Sequence, residues 1–547
     1  MMAQARPTGS LDRAGAALQH SPVRTPTLSR RFALAVLAAL VMLPTATVAA
    51  EPRRFVVFHT SDVHGFLASR LEPVVGGTAR RVGGMAALTA LVASERLPHV
   101  LVDSGDWYQG TPEGNLTRGA AVVTAMNLAG YTTAALGNHE FDYGEPNVRQ
   151  LVAAASFPVL GANIVSRATG TRLPYLKAST TTTVAGVSVA FVGVITHHTA
   201  TATLPQHVAH LEFTDEVVAA REATAEARKA GAEVVVVLSH CGLAPSRARQ
   251  RLSPSALVLT AEDLAYRGDL AIARGADADL VLGGHMHTGL TGPWVDPESG
   301  VPIVQSEANL VSVSRLEIAV TDSGPRRVTV TGRLVDLEVA VTGEDPKVKA
   351  HVEKTAREVG AALDEVIGRA NEAVARIEPG FDSPLGSWVA DTMRAAASAD
   401  VAVQNSYGVR ADIPAGNITR RTLYEVYPFE NTLIVVEMTG AALRRLVLDN
   451  LQADRSAIQL SGAHVRFRPG DREALTITVG ARPLDLSARY RVATNSYLAN
   501  GGTGGAAMAG CPQTPDPRNV RELLEAAVRR DRGLVPPPSG RFERMSP

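Results

Sequence analysis

Between residues 51 and 341 the chain alternates two kinds of hydrophobic pattern. Short apolar runs rich in β-branched residues occupy 55–58, 100–102, 133–136, 187–195, 234–238 and 280–282, and segments such as 85–95 and 215–230 place apolar residues at helical spacing. Runs without polar alternation predict strands covered on both faces, and their alternation with helices predicts a layered α/β domain over 51–341. Segments 312–320 and 327–337 predict a mixed or antiparallel closing sheet. Residues 346–371 are polar and helix-forming, with Pro346 suited to a first helical turn, and predict a helical linker over 342–372. A second α/β domain is expected over 373–535. The tail, 536–547, begins with Pro536-Pro537-Pro538 and reads as extended.

Residues 1–50 read differently. A polar stretch leads to Ser29-Arg30-Arg31, then an apolar run over 32–43 and a small-residue end at Val48-Ala49-Ala50. This order predicts an export signal cut before Glu51. The apolar run is short for a membrane span, so no stable membrane anchor is expected after cleavage, and a periplasmic or extracellular location follows. The paired arginines suit twin-arginine export, although Ala33 stands where that signal carries Phe.

The balance of 54 basic and 54 acidic residues hides an asymmetry, because the leader contributes five arginines against Asp12 alone. The remainder is net acidic, with no global basic field for a nucleic-acid polymer; any phosphate chemistry should act on small molecules. Oligomeric state is not readable from these patterns. Two cysteines, Cys241 and Cys511, make no disulfide framework. Cys241 follows His240 and is either a ligand or a small buried hydrophobe.

The chemistry lies where the apolar runs end. The first runs into His59-Thr60-Ser61-Asp62-Val63-His64-Gly65, the second into Asp103-Ser104-Gly105-Asp106, and the third into Gly137-Asn138-His139-Glu140. Two later runs reach Ser239-His240 and Gly283-Gly284-His285-Met286-His287. In open α/β sheets ligands bind at the carboxyl ends of strands, so residues far apart in sequence can converge. Asp, Asn and His describe an oxygen/nitrogen site for divalent ions such as Mn²⁺, Zn²⁺ or Fe. Asp62/His64 and His285/His287 are each two apart, and an extended backbone would turn both members of a pair to one face. The candidates exceed what one ion needs. Two ions sharing a carboxylate account for the number, with Asp106 the natural bridge.

The series DxH, GD, GNHE, a lone His and GHxH resembles the calcineurin-like metallophosphoesterases. The forms HTSDVHG, GNHEFDYG and LGGHMH, with a second domain behind them, look like the secreted 5′-nucleotidase family. The resemblance implies a layered metallophosphoesterase β-sandwich flanked by helices, a helical linker and a second α/β substrate-recognition domain. It implies one divalent ion at Asp62, His64 and His287, another at Asn138, His240 and His285, and Asp106 between them. It makes His139 and Asp142 a catalytic dyad, and a turn between them could bring the two together.

In the second domain, Asn405-Ser406-Tyr407-Gly408-Val409-Arg410 resembles the family's NGGGIR segment. Tyr427-Pro428-Phe429 and Tyr497-Leu498-Ala499-Asn500-Gly501-Gly502 resemble its PFG-type and FxANGGDG segments. By that likeness Asn405 faces a base, Arg410 holds the phosphate, and Phe429 and Tyr497 clamp the base. Thr503 stands where the family has an Asp for the ribose hydroxyls, Tyr407 replaces a glycine, and the stretch Phe381-Asp382-Ser383-Pro384-Leu385-Gly386 lacks a preceding arginine. The implied function is hydrolysis of nucleoside 5′-monophosphates. Cyclic nucleotides, sugar-nucleotide diphosphates or a sulfur ester are alternatives on the same fold, and a catalytically silent surface binding protein is an alternative of another class.

Overall fold

The computed structural model describes residues 51–545 apart from 73–77, 246–247, 249, 322–326, 361–362, 377–380, 453–454 and 469–470. The export signal expected over residues 1–50 lies outside them. Two six-stranded sheets form the first half. In one, Arg53–Thr60, His99–Asp103, Thr133–Ala135 and Val159–Leu160 run parallel, and Ser312–Thr321 and Arg327–Asp336 complete it antiparallel. In the other, Val187–Ile195, Val234–His240, Leu280–Gly283 and Pro302–Gln305 run parallel, between antiparallel edges at Ser179–Val184 and Trp294–Val295.

The continuous apolar runs have a direct packing reason. Side chains on a strand alternate faces. Phe55 and Val57 join Val234, Val236, Leu238, Leu280 and Leu282 in the core between the sheets. Val56 and Phe58 point the other way, under the helices Met85–Ala93 and Ala120–Ala129. Val235 and Val237 likewise pack with the helices Glu216–Lys229 and Asp269–Gly275. Both faces of each central strand are therefore dry. Asp215 starts the helix Glu216–Lys229 by accepting from Val217 N and Val218 N at 3.0 Å.

Among the described residues of the stretch read as a helical linker, the long helix is Pro346–Gly360. Val348 and Val352 bury its apolar stripe in the first half's core, so it is packed there rather than free. Val366–Ala370 is instead a strand, paired with Gly416–Thr419 and Gly533–Leu534. Its β-branched Ile367 and its Ala370 are buried in the second half's core, and that burial overrides the local helical tendency. The second half carries a five-stranded sheet, in the order Ile458–Ser461, Val401–Asn405, Arg489–Asn495, Thr432–Thr439 and Gln513–Asn519, with the helices Pro384–Ala397 and Val520–Asp531 against it. The tail is not wholly free either, because Phe542–Arg544 pairs with Ala463–Arg468 and buries Phe542. No described helix is long and apolar enough to cross a membrane.

Candidate metal centre

All five predicted strand ends deliver their residues to one place, by a different backbone route from the one expected. Asp62, His64, Asp106, His285 and His287 have φ between 51° and 74°, so these pairs are not extended. They are five of the twelve described non-glycine residues with positive φ. A left-handed backbone is costly for a residue with a Cβ and persists only where surroundings over-determine it. Here the turns are laced together: Asp62 N donates to Gly105 O (2.9 Å), His64 N to Asp106 O (3.0 Å) and Asn309 N to Asp62 O (2.7 Å). His285 N donates to the Asp62 carboxylate at 3.1 Å. A Cβ at Gly137 would lie 2.2 Å from Asp106 Oδ1, so this close approach needs glycine.

Two metal-capable groups result. Ligand atoms of Asp62, His64 and His287 lie within 4.8 Å of one another, as do those of Asp106, His240 and His285. His64 Nε2 is 2.9 Å from His287 Nε2, and His240 Nε2 is 3.1 Å from Asp106 Oδ2. The same Asp106 Oδ2 lies 3.9 Å from His64 Nε2 and so faces both groups. Asp106 Oδ1 is occupied, accepting from His139 N at 2.9 Å.

The donor set fits divalent ions on independent grounds. Asn138 Oδ1 is buried without a hydrogen-bond partner, which is costly unless something else engages it. His64 Nδ1 is 2.7 Å from Gln109 O and His240 Nδ1 is 2.7 Å from Ser104 O. Each carbonyl accepts from the Nδ1–H, so the neutral ring, the form a metal would bind, turns its Nε2 lone pair into the centre. Burial pushes the Asp62 carboxyl up to about 6. His240 resists the downward pull of burial and is driven up to about 10 by Asp106, then Asp62 and Glu140. Asp106 also raises both Asp62 and Glu140, a crowding of carboxyl groups that cations would relieve.

Glu140 escaped the sequence reading. Its carboxylate accepts from Gly137 N (2.6 Å), Trp107 N (2.7 Å) and Asp106 N (3.0 Å), joining two ligand turns. Burial foremost, and then Asp106, push it up to about 8. An acidic residue three positions after Gly137, at the start of the turn, was the available signal. Cys241 is fully buried among Val217, Leu270 and Ile272, its thiol pushed up by burial, and belongs to neither group.

His139 Nδ1 lies 2.7 Å from Asp142 Oδ2, and Thr203 Oγ1 donates to Asp142 Oδ1 at 3.0 Å. His139 is in neither metal-capable group; its Nε2 stands 4.0 Å from Asp106 Oδ2.

A cavity of about 800 Å³ joins this centre to the second half. Asp106, Asn138, His139, His285 and His287 line one side, and Asn405, Tyr407, Arg410, Phe429, Tyr497 and Thr503 line the other. Arg410 Nη2 approaches His64 Nε2 at 3.1 Å and His287 Nε2 at 3.5 Å. Arg376, unremarked in the sequence, donates to the Arg410 carbonyl. Asn405 Oδ1 accepts from Asn495 Nδ2 (2.9 Å) and Gln404 Nε2 (3.1 Å). The Phe429 ring sits 5.9 Å from that of His139 and 6.0 Å from the Arg410 guanidinium. Tyr497 Oη donates to Thr201 O at 2.6 Å, and Thr503 donates to the same carbonyl through N (3.0 Å) and Oγ1 (3.1 Å). Phe381 packs against Phe467 and Phe542.

A double-sheet α/β sandwich with two buried oxygen/nitrogen clusters at its strand ends defines a metallophosphoesterase. Residues 55–289 match the family model for calcineurin-like phosphoesterase, and residues 362–510 match that for the 5′-nucleotidase C-terminal domain. The chain belongs to the 5′-nucleotidase family, the calcineurin-like metallophosphoesterases that carry this second domain, and is a hydrolase of that kind. Among curated relatives it is 28% identical to endonuclease YhcR of Bacillus subtilis, aligning over 72% of this chain and only 32% of that protein's length. It is 27% identical to a 5′-nucleotidase of Vibrio parahaemolyticus, over 86% of this chain and 89% of the relative. Among solved structures, a 5′-nucleotidase precursor from Thermus thermophilus superposes with a TM-score of 0.78 at 26% identity, over 90% of this chain and 100% of the other.

Proposed function

We propose that the protein hydrolyses nucleoside 5′-monophosphates to nucleoside and inorganic phosphate, using two divalent ions. The observation that carries this reading is the cavity of about 800 Å³, with members of both metal-capable groups on one wall and Arg410, Phe429 and Tyr497 on the other. Asp62, His64 and His287 would hold one ion, Asn138, His240 and His285 the other, and Asp106 both. Bound there, such ions would supply charge to neutralise phosphoryl oxygens and would lower the pKa of the water that displaces the ester oxygen at phosphorus. Arg410 supplies a fork of donors to the phosphate. His139, held by Asp142, serves the departing oxygen, which takes a proton to become the nucleoside hydroxyl. Asn405, Phe429, Tyr497 and Thr503 form the surface for the nucleoside.

Two observations favour a broader phosphate-ester range as a second reading. Phe381 is spent on packing, and the Thr503 hydroxyl already donates to Thr201 O. The complete ligand set disfavours a silent binding protein. In this proposal 51–341 is the catalytic domain, 373–535 the recognition domain, and the leader directs export. Phosphate release from nucleoside monophosphates and a simple aryl phosphate, and release of the ring-opened monophosphate from cyclic nucleotides, with added Mn²⁺, tests the reading. No release from any of them would overturn it.

A further inference from the structure

The dyad and the recognition surface are joined through one short segment that the sequence did not single out. Thr203 is 2% exposed and its Oγ1 donates to Asp142 Oδ1 at 3.0 Å, while Asp142 Oδ2 meets His139 Nδ1 at 2.7 Å. Both carboxylate oxygens are thus engaged, and the buried threonine fixes the plane in which Asp142 meets the imidazole. Thr203 ends the helix Thr199–Ala202. Two residues earlier, the Thr201 carbonyl accepts from Tyr497 Oη, Thr503 N and Thr503 Oγ1 of the second half. Only Ala202 separates the two contact residues, so a displacement of Thr201 reaches Thr203 across two peptide units.

We infer that Thr203 is a positioning residue for His139, and that Thr201–Thr203 make the orientation of the dyad depend on contact with the second half. Tyr497, on the nucleoside side of the cavity, is thereby linked to the residue serving the departing oxygen. The inference rests on the phosphate-ester reading for its kinetic consequence, and on geometry alone for its structural one.

The kinetic test compares Thr203→Val, which keeps shape and removes the hydroxyl, with Thr203→Ser, which keeps the hydroxyl. Losing the support of Asp142 is expected to lower kcat about tenfold for a nucleoside 5′-phosphate, whose alkoxide leaves poorly. An aryl phosphate, whose phenoxide leaves readily, is expected to change little, with KM and metal content intact and Thr203→Ser close to the parent. Equal loss on both substrates, or no loss on either, overturns the positioning role. A readout independent of turnover is the ring Nδ1–H proton resonance of His139 in the zinc-loaded protein, assigned by its absence in His139→Asn. It should shift and exchange faster in Thr203→Val, stay in place in Thr203→Ser, and move in the same direction in Tyr497→Phe. A resonance unmoved in Thr203→Val refutes the role even if the parent hydrolyses nothing. One that moves in Thr203→Val but not in Tyr497→Phe refutes the link to the second half.

Discussion

Arg410 Nη2 lies 3.1 Å from His64 Nε2, although the two residues are 346 positions apart. The imidazole lone pair aimed at the metal centre therefore faces a guanidinium carried by the other half. A phosphate entering between them would take the fork of donors that Arg410 now directs at two histidines.

Arg410→Ala should accordingly lower kcat/KM for a nucleoside monophosphate by about 10- to 100-fold, the worth of hydrogen bonds to a charged group. Metal content should stay at the parent level, because Arg410 is a donor and not a ligand. Arg410→Lys should recover only part, since an ammonium keeps the charge and loses the fork. Steady-state kinetics and metal analysis of the two variants check this. Loss of an ion in either would place Arg410 in the support of the centre instead.

Asp106 is the residue whose removal should empty the centre. Its Oδ2 lies 3.1 Å from His240 Nε2 in one group and 3.9 Å from His64 Nε2 in the other. Asp106→Ala should lose both ions, and His287→Ala should weaken mainly the one near Asp62. Ions that bind only the folded state raise its stability by mass action. Added Mn²⁺ should thus raise the Tm of the parent and of His287→Ala, and leave that of Asp106→Ala unmoved. Two ions retained in Asp106→Ala would end the bridging assignment.

That these residues gather at one place was legible in the sequence because a strand end is a local signal. An apolar run stops, a glycine follows, and Asp, Asn or His comes next. The conformation was not legible. The spacing of Asp62 and His64 suggested an extended pair, and the positive φ of both comes from lacing to Gly105, Asp106 and Asn309, which no local pattern encodes. The strand Val366–Ala370 was missed for a related reason, since its partners are Gly416–Thr419 and Gly533–Leu534. Thr201 and Thr203 look like ordinary loop residues. Their partners, Tyr497 and Asp142, are 296 and 61 positions away.

His139 sits close to the centre without joining either metal-capable group. If it serves the departing oxygen, His139→Asn should cut kcat by about 10²–10⁴ with both ions retained. Asp142→Asn should fall in the same direction and by less, because it acts through His139. Single-turnover rates with parallel metal analysis separate these effects. A missing ion in His139→Asn would make His139 a ligand.

On the proposed reading, the weak hold of Thr503 on a sugar should leave the cavity a poor reader of ribose. Its Oγ1 donates to Thr201 O at 3.1 Å, so the hydroxyl proton is committed and only a neutral oxygen remains to accept from a sugar. Such a bond contributes ~0.5–1.5 kcal/mol, which is about a tenfold preference at most. A carboxylate at this position would accept from both ribose hydroxyls with charge-assisted strength. The kcat/KM values for AMP and deoxy-AMP should therefore lie within about tenfold of each other in the parent. In Thr503→Ala both should fall together, because what is lost is the bond to Thr201 rather than one to the sugar. In Thr503→Asp the carboxylate is repelled by the Thr201 carbonyl and turns toward the cavity, and the preference for AMP should rise. A parent that already favours AMP strongly, or a Thr503→Ala variant that loses activity on AMP alone, would show that the ribose is read at Thr503 after all.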